Sequence, residues 1–245
     1  MKLTYLFALI YVLILMSCQS RKETTSNAVF SSEDNLQIAQ QMMANEKYDS
    51  AVININRAFE NGYQNPMRII NDAEFQTLVN DPKYRVKIRE LLSEFAIESK
   101  VVMISPSEAG KEIIIRGKII NELNNQPIAD VHIELIQADR KGQYFNEKTK
   151  WNPRIFAYLK TDKMGMFEVK TIRPGNYEDD NGNTVPSHVH FTLNKKGFRS
   201  YGSEFVFEDD SIFKEDGNIE NVPVAKLVKN APLKEYEVVI ALQNE

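Results

Sequence analysis

Tyr144, Tyr177, His188 and His190 are the residues of this chain whose types and spacing point most directly to chemistry. The histidines stand in Ser187-His188-Val189-His190-Phe191. Side chains alternate along a strand, so His188 and His190 share one face while Val189 and Phe191 take the other. Two imidazoles at i and i+2 bring two nitrogens to one metal ion. Each tyrosine follows a glycine turn, in Gly142-Gln143-Tyr144 and Pro174-Gly175-Asn176-Tyr177. Neutral imidazoles with two phenolates supply negative charge and hard oxygen donors, a set suited to ferric iron. Taken singly, each of the four reads as an ordinary half-buried strand residue whose polar tip makes one hydrogen bond.

The surrounding segments resemble, in order, those of the intradiol ring-cleavage dioxygenases, the family of catechol and protocatechuate dioxygenases. Gly117-Lys118-Ile119-Ile120 and Pro127-Ile128-Ala129-Asp130-Val131 match a strand and the turn into the next. Glu134 to Asp139 precedes the first tyrosine turn. Thr161-Asp162-Lys163-Met164-Gly165-Met166-Phe167 matches a turn and strand. Thr171 to Tyr177 carries the second tyrosine, Pro186 to Phe191 carries both histidines, and Phe205 to Asp210 closes the pattern. The likeness spans residues 112–242. It implies an Fe(3+) site built from Tyr144, Tyr177, His188 and His190, and a substrate pair of a small aromatic diol and O2. It further implies that Tyr177 is the tyrosine displaced by the diol and acts as base.

Two positions depart from that pattern. The family commonly has an arginine three residues before the first iron histidine, where this chain has Val185, and Glu204 stands where a glutamine is expected. Groups around a metal tune it strongly, so activity or substrate is expected to differ. Arg173 and Arg154 are the cations considered as replacements.

The elements that must hold the site follow from periodicity. Short apolar runs with Gly, Pro and Asn turns extend from Ile113 to Leu242, with Val131, Ile133 and Leu135 alternating against polar neighbours. This predicts an antiparallel β-sandwich over residues 112–245. His132 is expected on its polar surface, and Tyr158 and Tyr201 are expected in packing or a pocket wall. The acidic runs at Glu208–Asp210 and Lys214–Gly217 read as solvated loops. Helical periodicity covers 33–98, with Ser32 as N-cap, a stripe of Ala51, Val52, Ile55, Ala58 and Phe59, and a start at Asp81-Pro82. This segment resembles the end of a tetratricopeptide array. A packing role competes with docking of a protein partner through the helical domain. Residues 99–111 read as a linker, and the whole as an α+β multidomain chain with a small N-terminal all-α domain.

Lys2 followed by an apolar run at 6–16 reads as a signal sequence, too short to be an ordinary membrane span. It ends in Leu15-Met16-Ser17-Cys18, which resembles the bacterial lipoprotein signal. This implies cleavage after residue 17, lipidation of Cys18 and export to the cell envelope on a lipid anchor. Plain secretion or an anchor helix is the alternative. The polar stretch 18–32 reads as a flexible tether. Cys18 is the only cysteine, so no disulfide forms within the chain. A net charge of −4 gives no reason to expect nucleic acid as a partner. Two readings of function remain: an exported ferric dioxygenase of catechol-like aromatics, or an envelope binding module that keeps the fold.

Overall fold

The computed structural model describes residues 30–145, 152–216 and 222–245. The expected signal peptide and Cys18 lie outside them, and no described helix is long and apolar enough to cross a membrane.

Helix α1 (Ser32–Ala44) starts one residue earlier than expected, with Ser31 as its N-cap. The Asp34 amide donates to Ser31 Oγ at 3.1 Å, and the Ser31 amide donates to the Asp34 carboxylate at 3.0 Å. Two unpaired donors of the first turn are thus satisfied reciprocally. Helix α2 (Tyr48–Glu60) packs on α1, and Gly62 takes the left-handed conformation after it. Three short pieces follow: α3 (Arg68–Asn71), a 3-10 turn (Ala73–Phe75) and α4 (Gln76–Asn80). Helix α5 (Pro82–Phe95) begins as its sequence predicts, with Pro82 in the first turn and Asp81 accepting from the Lys83 amide at 2.8 Å.

Nine strands form one sheet in the order β1-β5-β2-β11-β10-β9-β8-β3-β4. They are β1 (Lys100–Val102), β2 (Glu112–Asn121), β3 (His132–Gln137), β4 (Ile155–Lys160), β5 (Met166–Ile172), β8 (His188–Asn194), β9 (Tyr201–Phe207), β10 (Val224–Lys229) and β11 (Lys234–Leu242). A separate hairpin joins β6 (Tyr177–Glu178) to β7 (Thr184–Val185), and helix α6 (Ser211–Asp216) follows β9. The two end strands β1 and β4 approach each other, so the sheet curls into a near-barrel rather than a clear sandwich.

Nor is the sheet antiparallel throughout. Strands β2 and β11 run parallel from Lys234↔Ile113 to Leu242↔Asn121, and β1/β5 and β9/β10 are parallel pairs. The antiparallel expectation rested on short strands joined by Gly, Pro and Asn turns. A parallel pair needs only a long return path, and between β2 and β11 that path is nearly the whole sheet.

The alternation itself holds. Ile113, Ile115 and Ile119 of β2 face inward with Phe167 and Val169 of β5, Leu135 of β3, Phe191 of β8 and Ile240 of β11. The same continuous core takes in Ile55, Phe75, Ile88 and Leu92 of the helices. The 99–111 stretch, expected as a linker, holds β1, and Met103 and Ile104 within it are buried.

Helix α5 covers the outer face of β3 and β4. Ile155, Phe156 and Ala157 are all buried, so β4 is covered on both faces. The Arg89 guanidinium lies 5.4 Å from the Phe156 ring centroid and pairs with Glu134 at 2.8 Å. Buried Arg85 donates to the Asn152 side chain at 3.2 Å.

Candidate metal centre

Strand β8 places the histidines. It is hydrogen-bonded on both sides, to β3 and β9, which fixes its register. Val189, Phe191 and Leu193 enter the core, and His188 and His190 share the opposite face. Their rings stand 4.6 Å apart, and their Nε2 atoms are separated by 3.1 Å. His188 is buried, and its Nδ1 lies 2.8 Å from the Pro186 carbonyl. A carbonyl only accepts, so Nδ1 carries the proton and the Nε2 lone pair points into the cluster.

The tyrosines arrive on two turns packed directly against each other. Gly142 has φ +78°, and a Cβ there would fall 2.6 Å from the Asn176 carbonyl oxygen. A Cβ on Gly175 would fall 2.5 Å from the Arg140 carbonyl oxygen and 2.7 Å from the Gly142 nitrogen. Only glycine permits this approach. The Asp139 carbonyl accepts from both Gly142 and Gly175, at 3.1 and 2.8 Å. The Tyr144 and Tyr177 rings meet edge to face at 5.9 Å, and the Tyr144 hydroxyl lies 2.8 Å from His188 Nε2. All four sequence-predicted residues therefore converge.

Burial dominates the electrostatics of the cluster. Burial first, then the nearby Tyr177, pushes the Tyr144 phenol well above its ordinary range. Burial also raises Tyr177, but there the hydrogen bond from Tyr144 works in the opposite direction. Burial and the neighbouring His188 lower His190, which favours the neutral, ligating imidazole. Two imidazole nitrogens and two phenols thus face one small space, with a histidine lone pair directed into it. This donor set fits a hard trivalent ion such as ferric iron.

The departures from the expected pattern also lie at the centre. Val185 pairs across the hairpin with Tyr177. Glu204 pairs with His190 across β8 and β9, and its Oε2 is 3.5 Å from His190 Nδ1 and 3.8 Å from His188 Nε2. The ligating atoms of His188, His190 and Glu204 fall within 4.8 Å of one another. A carboxylate on the far nitrogen of a metal histidine orients the ring and raises its basicity. Neither expected replacement cation is uncommitted. Arg173 binds Asp209 and Asp210 and stacks 3.9 Å from the Phe207 centroid, while Arg154 pairs with Glu108 and Asp139.

His132 is exposed, as expected of its polar face, and Tyr158 is half-buried with its hydroxyl 2.6 Å from Glu134. The 208–210 run is not a solvated loop. Asp210 is buried, and its carboxylate accepts from the Asn176 side chain at 3.3 Å and the Ser187 amide at 3.4 Å. Those residues immediately precede Tyr177 and His188, so one carboxylate ties together the segments that carry them. A run of three acids bears the pattern of a surface loop, and only the partners in space reveal its place.

A pocket of about 470 Å³ opens beside the cluster, lined by Tyr144, Phe145, His190, Ile136, Pro153 and Arg89. That volume lies within the ~300–1,000 Å³ usual for small-molecule sites.

Known proteins place this geometry. A family model described as Dioxygenase matches residues 90–236. Catechol 1,2-dioxygenase 2 of Acinetobacter lwoffii is 22% identical over 144 residues, covering 50% of this chain and 52% of that protein. The chain thus matches about half the length of that curated relative. Among solved structures, a variant of the Acinetobacter radioresistens catechol 1,2 dioxygenase matches with TM-score 0.51 and 17% identity. It covers 88% of this chain and 94% of its own. Catechol 1,2-dioxygenase of Pseudomonas arvilla C-1 matches with TM-score 0.50 and 15% identity, covering 89% and 93%. With the family model spanning more than half of its length, the chain belongs to the intradiol ring-cleavage dioxygenase family.

Proposed function

We propose that this protein is an iron(III) dioxygenase that opens the ring of catechol-type diols between their two hydroxyls, using O2. The observation that carries the reading is the convergence of two phenols and two imidazoles, with the two Nε2 atoms 3.1 Å apart. Tyr144, Tyr177, His188 and His190 would hold the ion. When bound, ferric iron supplies Lewis acidity, which lowers the pKa of a diol oxygen and makes the ring reactive toward O2.

The chain's own residues do the rest. Tyr177, the second tyrosine of the pattern, would serve as the base that takes a proton from the incoming diol, since a bound ferric ion would hold its phenol as the phenolate. Buried His188, fixed by the Pro186 carbonyl, is the rigid reference point of the set. Ile136, Phe145 and Pro153 give the ring an apolar wall.

Protein purified without chelator is expected to hold one iron per chain and to be red-brown from tyrosinate-to-iron charge transfer. Catechol should shift that band, and O2 uptake with catechol or hydroxyquinol should follow. Zinc or no metal in the wild-type protein would overturn the iron reading.

Val185 and Glu204 favour a second reading, a binding module of the envelope that keeps the fold without turnover. A positioned charge donor in a dry site is worth about 10²–10³ in rate, whereas the metal is required outright. The missing arginine should therefore weaken turnover without abolishing it, and Val185→Arg should raise it. Absence of O2 uptake by iron-loaded protein, with or without Val185→Arg, would leave the binding-module reading. We further propose that Cys18 is lipidated and tethers the protein to the cell envelope. Cys18→Ser should then release a soluble form or leave an uncleaved precursor.

A further inference from the structure

The ladder that carries the two histidines carries a further donor. Glu204 of β9 is the cross-strand partner of His190 on β8, and Val206 is the partner of His188. Phe205 and Phe207 turn into the core, where they pack on Phe191 and Tyr236. Alternation therefore puts Glu204 on the face that His188 and His190 share.

His188 gives the reference point, because it is buried and held by the Pro186 carbonyl. From its Nε2, the Tyr144 hydroxyl lies at 2.8 Å, His190 Nε2 at 3.1 Å and Glu204 Oε2 at 3.8 Å. Metal bonds to imidazole nitrogen and carboxylate oxygen are about 2.1 Å long, so two donors on one ion stand no more than about 4.2 Å apart. Glu204 meets that limit, as Tyr144 and His190 do. Its Oε2 is 3.5 Å from His190 Nδ1, longer than an ordinary N–H···O hydrogen bond. Among the described residues, the carboxylate pairs with no lysine or arginine. The side chain is 31% exposed, so it can turn toward an ion without disturbing the core.

We propose that Glu204 is a metal ligand, and that His188, His190 and Glu204 form a face that binds a divalent ion without the tyrosines. Two histidines and one carboxylate with open positions are a donor set suited to iron(II). All three donors stand on one hydrogen-bonded ladder, whereas both phenols stand on turns. The ladder therefore builds a metal site of its own, and the tyrosines add the hard oxygens that suit ferric iron. The proposal rests on the metal reading of the cluster and not on turnover.

Cobalt(II) is the probe, followed by its visible absorption and by titration against a chelator, with the full chain throughout. The wild type and a Tyr144→Phe/Tyr177→Phe double variant are both expected to bind one Co2+. Glu204→Gln should weaken Co2+ binding about 100-fold, the upper end for a group beside a metal, and alter the visible bands. Acetate should restore binding to Glu204→Ala by taking the place of the lost carboxylate. With iron(III) bound and both tyrosines in place, Glu204→Gln removes an anionic donor, so the tyrosinate-to-iron band should move to longer wavelength. That measurement stands even where the double variant fails to fold, and an unmoved band overturns the proposal. Unchanged Co2+ affinity in Glu204→Gln also overturns it. So does a loss that acetate fails to restore, which would mean that Glu204 acts only through the His190 ring. Wild-type protein that takes up neither iron nor Co2+ would sink the metal reading itself. Uptake of both without dependence on Glu204 would sink this proposal alone.

Discussion

The histidine and tyrosine halves of the cluster are held by different physics. His188 and His190 sit in mid-sheet, on a strand laddered to β3 and β9. Their placement follows from a period of two and from a row of backbone hydrogen bonds that no single side chain controls. Tyr144 and Tyr177 sit on turns. Their placement depends on two glycines in contact, on the Asp139 carbonyl and on side-chain ties to Asp210. The histidine half should therefore tolerate changes around it and fail when a ligand itself is removed. The tyrosine half should fail when its supports are removed, even with both phenols in place.

Removal of a ligand from the laddered half has the largest expected effect. His188→Ala deletes the buried nitrogen at the centre of the cluster, and stoichiometric metal and colour should be lost together. The strand should survive, because its hydrogen bonds are backbone bonds. Metal analysis beside far-ultraviolet circular dichroism checks both statements. Unfolding of this variant would contradict the claim that the ladder holds the strand independently.

The next effect is on the tyrosine turns. Gly175→Ala places a methyl group where the Arg140 carbonyl oxygen and Gly142 nitrogen already lie. Overpacking of this kind costs about 1–3 kcal/mol. The turns must part, which draws Tyr177 away from His188. The variant should keep part of its metal through the histidines while its charge-transfer band weakens or shifts. Visible absorption normalised to bound metal measures this, and an unchanged spectrum would show that the turn contact does not position the phenols.

Asp210→Asn is a gentler change to the same half. The amide keeps the shape, but it cannot accept with both terminal atoms as the carboxylate does, so either Ser187 and Arg173, which share Oδ2, or the Ile212 and Phe213 amides on Oδ1 lose their acceptor. Residues that support ligands typically change metal affinity by roughly 10–100-fold. The lower end, about tenfold, is expected here because Asp210 acts through the backbone before each ligand. A competitive chelator titration reads it.

The same contrast explains how much was legible in the sequence. The histidine pair was readable from its spacing, because a strand's alternation is a local rule. The tyrosine turns were readable as glycine turns, while their contact was not, since β4 and β5 intervene between Gly142 and Gly175. The β2/β11 parallel pair joins the two ends of the sheet region and leaves no mark in either strand's pattern. Arg89 of α5 carried no signal in the sequence, and only its contacts with Glu134 and Phe156 place it at the pocket wall. Charged residues whose partners lie far along the chain carry no period, and for that reason Asp209 and Asp210 read as a solvated loop and Arg89 carried no signal.

The smallest expected effect concerns pH and separates the halves without touching a ligand. Asp209 belongs to the network that holds Arg173 at the start of the second tyrosine turn. Its carboxylate lies 2.9 Å from Arg173, 2.6 Å from Lys234 and 3.1 Å from the Tyr236 hydroxyl. Burial by itself would raise its pKa, but the Lys234 hydrogen bond, the Arg173 charge and Tyr236 together hold it below the ordinary 3.8. A carboxylate with a depressed folded-state pKa stabilises the fold fully above its unfolded value, and that stability is lost as pH falls through the lowered folded value. The contribution is of the order of 1 kcal/mol, since the group is partly exposed. Wild-type protein should therefore lose this increment below pH 3.8, whereas Asp209→Asn should lack it at neutral pH and show a flatter acid limb. Urea midpoints measured from pH 7 down to about pH 3 test the sign. Parallel slopes for the two proteins would mean that the ion network contributes nothing, and that the tyrosine turn is held by its glycines alone.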